Sequence, residues 1–454
     1  MTSPQIKRGT CKSKHQTMPL SQSTDYLPQA ITPFLPGVYL AVNAIKDIHL
    51  LVDGPSCAHA KTEWVQGGHD WMSTLTSVSG FQRVSNTDAH IAKMARSRES
   101  EIEESLHRIA SRETVVSLLL TAMPMASITG VDYGRICERV AAQSGKCVVH
   151  VPSKSLSGDW LDGYAEGLLA LAKSIPLPSV RCSEPTNVAI VGYLYDRNEQ
   201  DHGANVGHLT DLLRSSGLQC VSIWLGGQSF DQLQNIASAG TILSFPYGRK
   251  AAKVLADRTE SRLIECELPF GFDATERWLR HLGAELGVEA QANDTIDQQL
   301  AIAVPRLEWV IPFHFQGRKI AYVGDPHMAV GMKEIAAMLG AHLHAAAITN
   351  LPHHCVGVAE HLNEVELLGS PKWLSLMKFL HSAVCEGQVS LLVCNGYGVG
   401  LTEVPWLEIG YPCMYRHALY DSPFLGFQGL LSFVNMLTNA LRMHEIFETS
   451  KRLR

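Results

Sequence analysis

The stretch HLLVDGPSCAHAKTEW, residues 49–64, contains the cysteine with the most suggestive position in the chain. The apolar run from Ile48 to Val52 predicts a buried strand, and Asp53-Gly54-Pro55-Ser56 is typical of the turn that ends one. Cys57 is therefore expected just beyond the carboxyl end of a strand, the edge of an open α/β sheet where ligands bind. Free cysteines are also often inert packing residues, so both interpretations stay open at this point.

Histidines form two further groups with possible chemistry. His59 and His69 follow Cys57 by two and twelve residues, and each could be a second ligand, an acid/base group or a polar loop residue. His353-His354-Cys355 has residue types that bind soft metals, but adjacent side chains rarely point at one ion. The preceding Leu351-Pro352 predicts a loop at this place. The residues alone do not decide between these alternatives.

The number and spacing of the cysteines indicate the redox environment of the chain. The chain has 11 cysteines, an odd number, scattered singly and without a CxxC pair. Residues 1–28 have a polar, basic character with no apolar segment of the secretory type, and they predict a disordered tail. This pattern predicts a reducing cytoplasm rather than a disulfide framework. It also predicts that the chain alone forms no zinc ribbon and no ferredoxin-type cluster loop.

Composition and motifs exclude several classes of function. A formal net charge of -6 gives no basic surface of the kind that nucleic-acid binding needs. The longest apolar run, residues 115–131, contains Pro124 and is too short to span a membrane. The turns at Gly192 and Gly324 lack the GxGxxG spacing, and no GxxxxGK[ST] occurs, so nucleotide binding by this chain is not expected.

Apolar, β-branched runs alternate with helical periodicity along most of the chain, which predicts an α/β fold with parallel sheets covered on both faces. Besides the run that starts at Ile48, they cover residues 113–121, 146–152, 186–194, 219–227, 240–246, 318–326, 341–349 and 389–398. Proline-rich breaks near residues 185 and 316 are each followed by a new strand–glycine–helix–strand unit. We therefore expect three Rossmann-like domains, each a mostly parallel sheet flanked by helices. The expected bounds are a tail at 1–28 and domains at 29–185, 186–315 and 316–454.

Several segments in collinear order resemble the nitrogenase component I superfamily, which includes the MoFe protein subunits, the iron–molybdenum cofactor assembly scaffold and the dark-operative protochlorophyllide and chlorophyllide reductases. The segments are DGPSC (53–57), SLSGDWLDGYAEGL (155–168), LPFGFDATERWL (268–279), GRKIAYVGDPHMAVGMKEIAAMLG (317–340), LLVCNGYG (391–398) and IGYPCMYRHALYDSPFLGFQGLLSFVNML (409–437). The resemblance covers roughly residues 30–440. It implies pairing with a homologous α-type subunit into a heterotetramer, an iron–sulfur cluster at the interface of the pair, and electrons from an ATP-dependent iron protein.

The chain departs from the superfamily in its cysteines. Where family members often have a second and a third cluster cysteine, it has TLTSVSGFQRVSNTDAH (74–90) and TAMPMAS (121–127), with Met123 and Pro124 at the third place. A four-iron cluster needs four ligands, so Cys57 cannot hold one unaided. The resemblance thus implies a β-type subunit that gives one metal ligand, Cys57, with Asp53 and His59 as candidate neighbours that tune the cluster without binding it.

The resemblance leaves open whether the complex is a reductase or a cofactor-assembly scaffold. The chain length favours the scaffold-like form, because the corresponding subunit of the protochlorophyllide enzyme carries a further C-terminal domain. Two other classes stay possible: a cluster-free binding or partner subunit in which Cys57 is packing, and a GT-B-like sugar-nucleotide transferase. The last would need basic groups in an interdomain cleft, for which the sequence offers Arg249-Lys250.

Overall fold

The computed structural model describes residues 28–58, 82–90, 97–154, 156–178, 184–195, 202–416 and 420–452. Within these ranges the strands form three separate sheets in which every pairing is parallel, and helices pack on the sheets. The predicted α/β class with three Rossmann-like sheets is confirmed. No described helix is both long enough and apolar enough to span a bilayer.

The first sheet carries the cysteine turn. Its strands are β1 (Ile48–Asp53), β2 (Val84–Asn86), β3 (Ser117–Ala122) and β4 (Cys147–His150), in the order β2-β1-β3-β4. β1 and β3 are buried along their whole length, as expected for central strands covered on both faces. β2 lies on one side of β1 and β3 lies on the other. The order of the strands therefore reverses at β1, and the carboxyl ends of β1 and β3 form the crevice of a topological switch point.

The second and third sheets are also parallel, with crossovers between their strands. The second contains β5 (Asn187–Val191), β6 (Gln219–Ile223), β7 (Thr241–Ser244) and β8 (Arg262–Glu265), in the order β6-β5-β7-β8. The third contains β9 (Lys319–Gly324), β10 (His342–Ile348), β11 (Glu366–Gly369), β12 (Leu391–Cys394) and β13 (Trp406–Glu408), in the order β11-β10-β9-β12-β13. The domain bounds near residues 185 and 316 stay predictions.

Thirteen α-helices are described. They are α1 (Phe34–Asn43), α2 (Glu99–Ala110), α3 (Pro124–Ser127), α4 (Tyr133–Ser144), α5 (Trp160–Ser174), α6 (His202–Ser215), α7 (Arg249–Thr259), α8 (Phe272–Leu286), α9 (Glu289–Leu307), α10 (Pro326–Met338), α11 (Pro352–His361), α12 (Trp373–Cys385) and α13 (Gly426–Arg452). Short 3-10 turns cover Asp231–Ser238 and Pro246–Gly248, and a π-helical turn covers Ile311–Phe315.

Helix α5 begins with a reciprocal cap. The Asp159 carboxylate accepts from the backbone N–H groups of Leu161 and Asp162, and the Asp162 carboxylate accepts from the N–H of Asp159. The Ser, Asp and Gly residues of this segment predict a helix start with Gly158 and Gly163 in the preceding loop, and the expected position of Gly163 is wrong. Gly163 is the fourth helical residue, and a Cβ there would lie 2.0 Å from the carbonyl oxygen of Phe34. The glycine is needed because α1 and α5 cross with their backbones in contact.

Two other helix starts differ from the sequence-based expectation. The segment LPFGFDATERWL predicts Asp273 or Thr275 as an N-cap, whereas α8 begins at Phe272 with Gly271 as its N-cap. The segment after Leu351 is a helix, α11, rather than a loop, and Pro352 is its first residue. Proline is favoured at this position because its fixed φ suits the first turn and its missing N–H would have no helical partner.

Candidate functional site

The segment that carries Cys57 is held from several sides. The N–H of Gly54 donates to Thr87 Oγ1 at 3.1 Å, and its carbonyl oxygen accepts from the N–H of Ala89 at 3.1 Å. A Cβ on Gly54 would lie 2.7 Å from Met123 Cγ, so the turn packs closely against the end of β3. Cys57 itself is exposed. The chain therefore presents a reachable thiol from a backbone with little freedom.

The far end of this segment is fixed by a buried phenol. Tyr39 Oη donates to the carbonyl oxygen of Ala58 at 2.8 Å, and the N–H of Ala58 donates to the carbonyl oxygen of Pro55 at 3.1 Å. Burial, with the nearby Cys57 as a smaller cause, raises the pKa of Tyr39 above its ordinary value. The Tyr39 hydroxyl therefore stays protonated and donates to Ala58, the residue that follows Cys57.

Asp53 lies beneath the turn and is fully buried. Its carboxylate accepts from Arg98 Nη2 at 2.5 Å, from Thr87 Oγ1 at 2.7 Å and from Tyr133 Oη at 2.7 Å. Burial, followed by the hydrogen bond to Asp53, raises the pKa of Tyr133. Asp53 is therefore a structural anchor for the turn, and its two oxygens are occupied by protein donors.

The structure brings together only part of what the sequence indicates. Cys57 and Asp53 share one turn, as expected, whereas His59 and His69 lie outside the described residues. Arg98 and Tyr133, which neutralise and hold Asp53, carry no recognisable signal in the sequence because they lie 45 and 80 residues away. Among the described cysteines, only Cys57 and Cys385 are exposed.

A second cluster joins the start of α5 to the start of α11. Asp162 Oδ2 lies 3.0 Å from His353 Nε2 and 3.2 Å from His354 Nε2, and Asp159 Oδ1 lies 3.2 Å from the same His354 nitrogen. The adjacent imidazoles therefore do converge on one carboxylate, contrary to the interpretation of this motif from sequence. The helical turn that begins at Pro352 makes this possible, because it brings the two rings together, with their centroids 4.1 Å apart.

Charge explains the state of these groups. Burial raises the pKa of Asp162, but hydrogen bonds from His354 and Lys154 outweigh it and hold the pKa well below the usual range. Burial lowers the pKa of His354, yet its bonds to Asp159 and Asp162 outweigh that effect and raise the pKa to about 9. Lys154 Nζ lies 2.8 Å from Asp162 Oδ1 and 3.4 Å from Glu166 Oε1.

A cleft of about 320 Å³ opens beside this cluster, between α7, α8, α10 and α11. His327 lines it, and burial, with the nearby positive groups of His354 and Arg249, lowers the pKa of His327 to about 3. The guanidinium of Arg249 donates to the backbone carbonyl oxygens of Ser244 and Cys266. Because these carbonyl groups occupy it, Arg249 is a poor candidate for the phosphate-binding group that a sugar-nucleotide transferase needs.

The comparison with known proteins decides the family. Residues 35–442 match the family described as nitrogenase component 1 type oxidoreductase. The chain belongs to this family. Proteins of the nitrogenase component 1 family generally bind metal–sulfur clusters.

Similar curated proteins are beta chains. The nitrogenase molybdenum–iron protein beta chain of Clostridium pasteurianum is 24% identical over 231 residues, which cover 48% of each chain. The nitrogenase vanadium–iron protein beta chain of Trichormus variabilis is 23% identical over 235 residues, 48% of this chain and 50% of that one. The match thus spans about half the length of these relatives. The predicted resemblance to a β-type member of the nitrogenase component I superfamily is confirmed.

The fold extends the likeness beyond those matched segments. A solved structure of nitrogenase Cp1 at pH 6.5 superposes with a TM-score of 0.77 at 16% identity, and covers 93% of this chain and 94% of that chain. At this identity the likeness concerns the fold, and it places the three sheets in a nitrogenase-like arrangement.

Proposed function

We propose that this chain is the β-type subunit of a nitrogenase-like two-component oxidoreductase or of a cofactor-assembly scaffold. In this proposal it shares a four-iron cluster with a homologous α-type subunit in a heterotetramer, and the complex receives electrons from an ATP-dependent iron protein. Its place is the cytoplasm, where thiols stay reduced. The family membership and the β-chain relatives support this assignment.

The exposed thiol of Cys57 carries the proposal. It lies at the switch point between β1 and β3, where an α/β sheet offers a crevice to a ligand. Other cysteines of the same sheet region are poorer ligands: burial raises the pKa of Cys137 to about 12 and also raises that of Cys147. A ligand must be a thiolate, and burial in apolar surroundings opposes that form.

The donor set fits a shared cluster rather than a private one. Cys57 supplies one thiolate, and Met123 and Pro124 follow β3 where the superfamily often has another cysteine. Cubane clusters bind four ligands, so the remaining three would come from the α-type partner. Cys57 would be the ligand on this side, and the cluster would supply one-electron transfer.

Apolar residues at the same edge suit a partner surface. Ile128, after β3, is 81% exposed and Leu156, after β4, is 86% exposed. A groove of about 230 Å³ is lined by Leu156, Phe34 and Pro124, among others. Exposed apolar groups of this kind mark protein contacts, and an apolar cover limits solvent access and tunes the potential of a cluster.

Asp53 and His59 have different places in the proposal. Asp53 fixes the turn through Arg98 and Thr87 and acts on the cluster only by positioning Cys57. His59, two residues after Cys57, stays a proposed neighbour of the cluster.

The proposal is tested by anaerobic co-purification of this chain with its homologous partner, followed by measurement of iron and acid-labile sulfide. We expect about four of each per heterodimer and a cubane-type electron paramagnetic resonance signal on reduction. A well-folded heteromer that stays free of iron after anaerobic reconstitution would contradict the proposal and identify a cluster-free partner subunit instead.

A further inference from the structure

The cluster of Asp162, His353 and His354 joins two parts of the chain that are almost 200 residues apart. Asp162 lies in the first turn of α5, which follows the first sheet, and the histidines lie in the first turn of α11, which follows β10 of the third sheet. The backbone N–H of Leu351 and the side chain of Asn350 donate to Asp159 Oδ2 at 2.8 and 3.1 Å. The two helix starts are therefore held against each other before any ligand is considered.

The three side chains are close enough together to hold one metal ion. One ligand atom from each residue lies within 4.8 Å of the others, and the two imidazole nitrogens are 3.0 and 3.2 Å from the same carboxylate oxygen. Ligand atoms at the corners of a tetrahedral zinc site, with bonds of about 2.1 Å, are separated by about 3.4 Å. Small side-chain adjustments would thus place all three atoms around one ion.

We propose that Asp162, His353 and His354 bind one divalent transition-metal ion, of the Zn²⁺ or Fe²⁺ class, that bridges the first and third sheets. Two imidazoles and one carboxylate form a ligand set that both ions accept, with a further position left for water. The site lies on α5 and α11, whereas the proposed cluster ligand, Cys57, follows β1. The proposed ion and the proposed cluster therefore share no ligand from this chain.

The local charge favours a dication. Asp159, Asp162 and Glu166 contribute three carboxylates, and Lys154 is the ammonium group paired with Asp162 and Glu166. His354 holds a proton at neutral pH, so metal binding must displace that proton; once both imidazoles are neutral, the form in which they bind metals, the group has an excess of two negative charges. Lys154 contacts Asp162 Oδ1, so it orients the carboxylate and leaves Oδ2 directed at the imidazoles.

A buried oxygen next to the cluster gives independent support. Asn350 is fully buried, and its Oδ1 has no hydrogen-bond partner among the described residues, although its Nδ2 donates to Asp159. A buried polar atom without a partner costs about 1–3 kcal/mol. In the proposal, a water bound to the ion supplies the donor that this oxygen lacks.

Zinc binding to the purified, chelator-treated complex tests the proposal. Equilibrium dialysis against Zn²⁺, with zinc measured by atomic emission, is expected to give one equivalent per chain, and His353→Ala and His354→Ala are expected to weaken binding at least tenfold. His361→Ala, an exposed histidine at the end of α11, is the matched control and should bind as the wild type does. Repeating the titration with Cys57→Ala and with Cys385→Ala removes each of the two exposed described thiols as an alternative zinc ligand.

His353 is the more informative position because its side chain is 49% exposed, so truncation should leave the fold intact. Saturable zinc binding that also raises the thermal midpoint of the wild type but not of His353→Ala would support an ion bridging the sheets. Equal binding by His353→Ala and the wild type, or no saturable equivalent, would overturn the site. Either result is independent of the iron content, so it leaves the shared-cluster proposal to its own test.

Discussion

Arg98 Nη2 lies 2.5 Å from Asp53 Oδ1, and the guanidinium and the carboxylate are 1% and 0% exposed. This ion pair lies directly beneath the turn that carries Cys57. Thr87 Oγ1 contacts both partners and accepts from the N–H of Gly54, so the pair is joined to the turn by hydrogen bonds.

Arg98→Met is expected to lower the free energy of unfolding by about 3–5 kcal/mol, because it leaves the Asp53 carboxylate buried without its cation. Urea unfolding monitored by circular dichroism measures the effect. The control is Arg135→Met, which removes an exposed pair with Glu99 at 2.7 Å and should cost at most about 1 kcal/mol. Equal losses in both variants would contradict the anchoring role of Arg98.

Gly163→Ala is expected to destabilise the protein by about 2 kcal/mol or more, because its Cβ would meet the backbone of α1. Gly207→Ala is the counterpart: it lies inside α6, where a Cβ meets nothing within 4 Å, and should gain about 0.5–1 kcal/mol. The comparison of the two thermal midpoints tests the close crossing of α1 and α5. A tolerated Gly163→Ala would show that the helices can separate without cost.

His49 is expected to make the protein acid-sensitive. Burial, followed by the positive charges of Arg112 and Arg83, lowers its pKa to about 3. In the unfolded chain His49 takes up a proton near pH 6.5, whereas in the folded protein it stays neutral. The free energy of unfolding therefore decreases as the pH falls from about 6.5 towards 3, by up to about 1.4 kcal/mol per pH unit. His49→Gln, which can keep the contact to Ser85, should show a smaller loss between pH 6.5 and 4.5. Parallel pH profiles of the two proteins would rule out this role of His49.

The fold could be predicted from sequence wherever strands are central. All nine runs identified as strands, including the one at Ile48, contain a strand. The strands that the sequence did not indicate are β2, β8, β11 and β13, each at the edge of its sheet. Edge strands are covered less completely, so they need no continuous apolar run: β8 and β11 each have exposed residues at both ends.

The sequence predicted the candidate site only where a reactive residue type coincides with a turn pattern. Cys57 follows a strand and a proline-containing turn, so its location was predictable. Arg98 and Tyr133 were not, because a buried ion pair between distant segments leaves no local pattern. The loop expected at His353-His354 is wrong for a local reason: Pro352 starts a helix here, and its first turn brings both rings to Asp162.

The central claim is that Cys57 binds a cluster shared with the partner subunit, and the iron content of the Cys57→Ala heterodimer tests it most directly. Cys385→Ala is the matched control, since Cys385 is the other exposed cysteine among the described residues. After anaerobic purification, we predict that Cys385→Ala keeps the iron of the wild type, about four atoms per heterodimer, while Cys57→Ala keeps less than half of it in an intact complex. Full iron occupancy in Cys57→Ala would contradict the account.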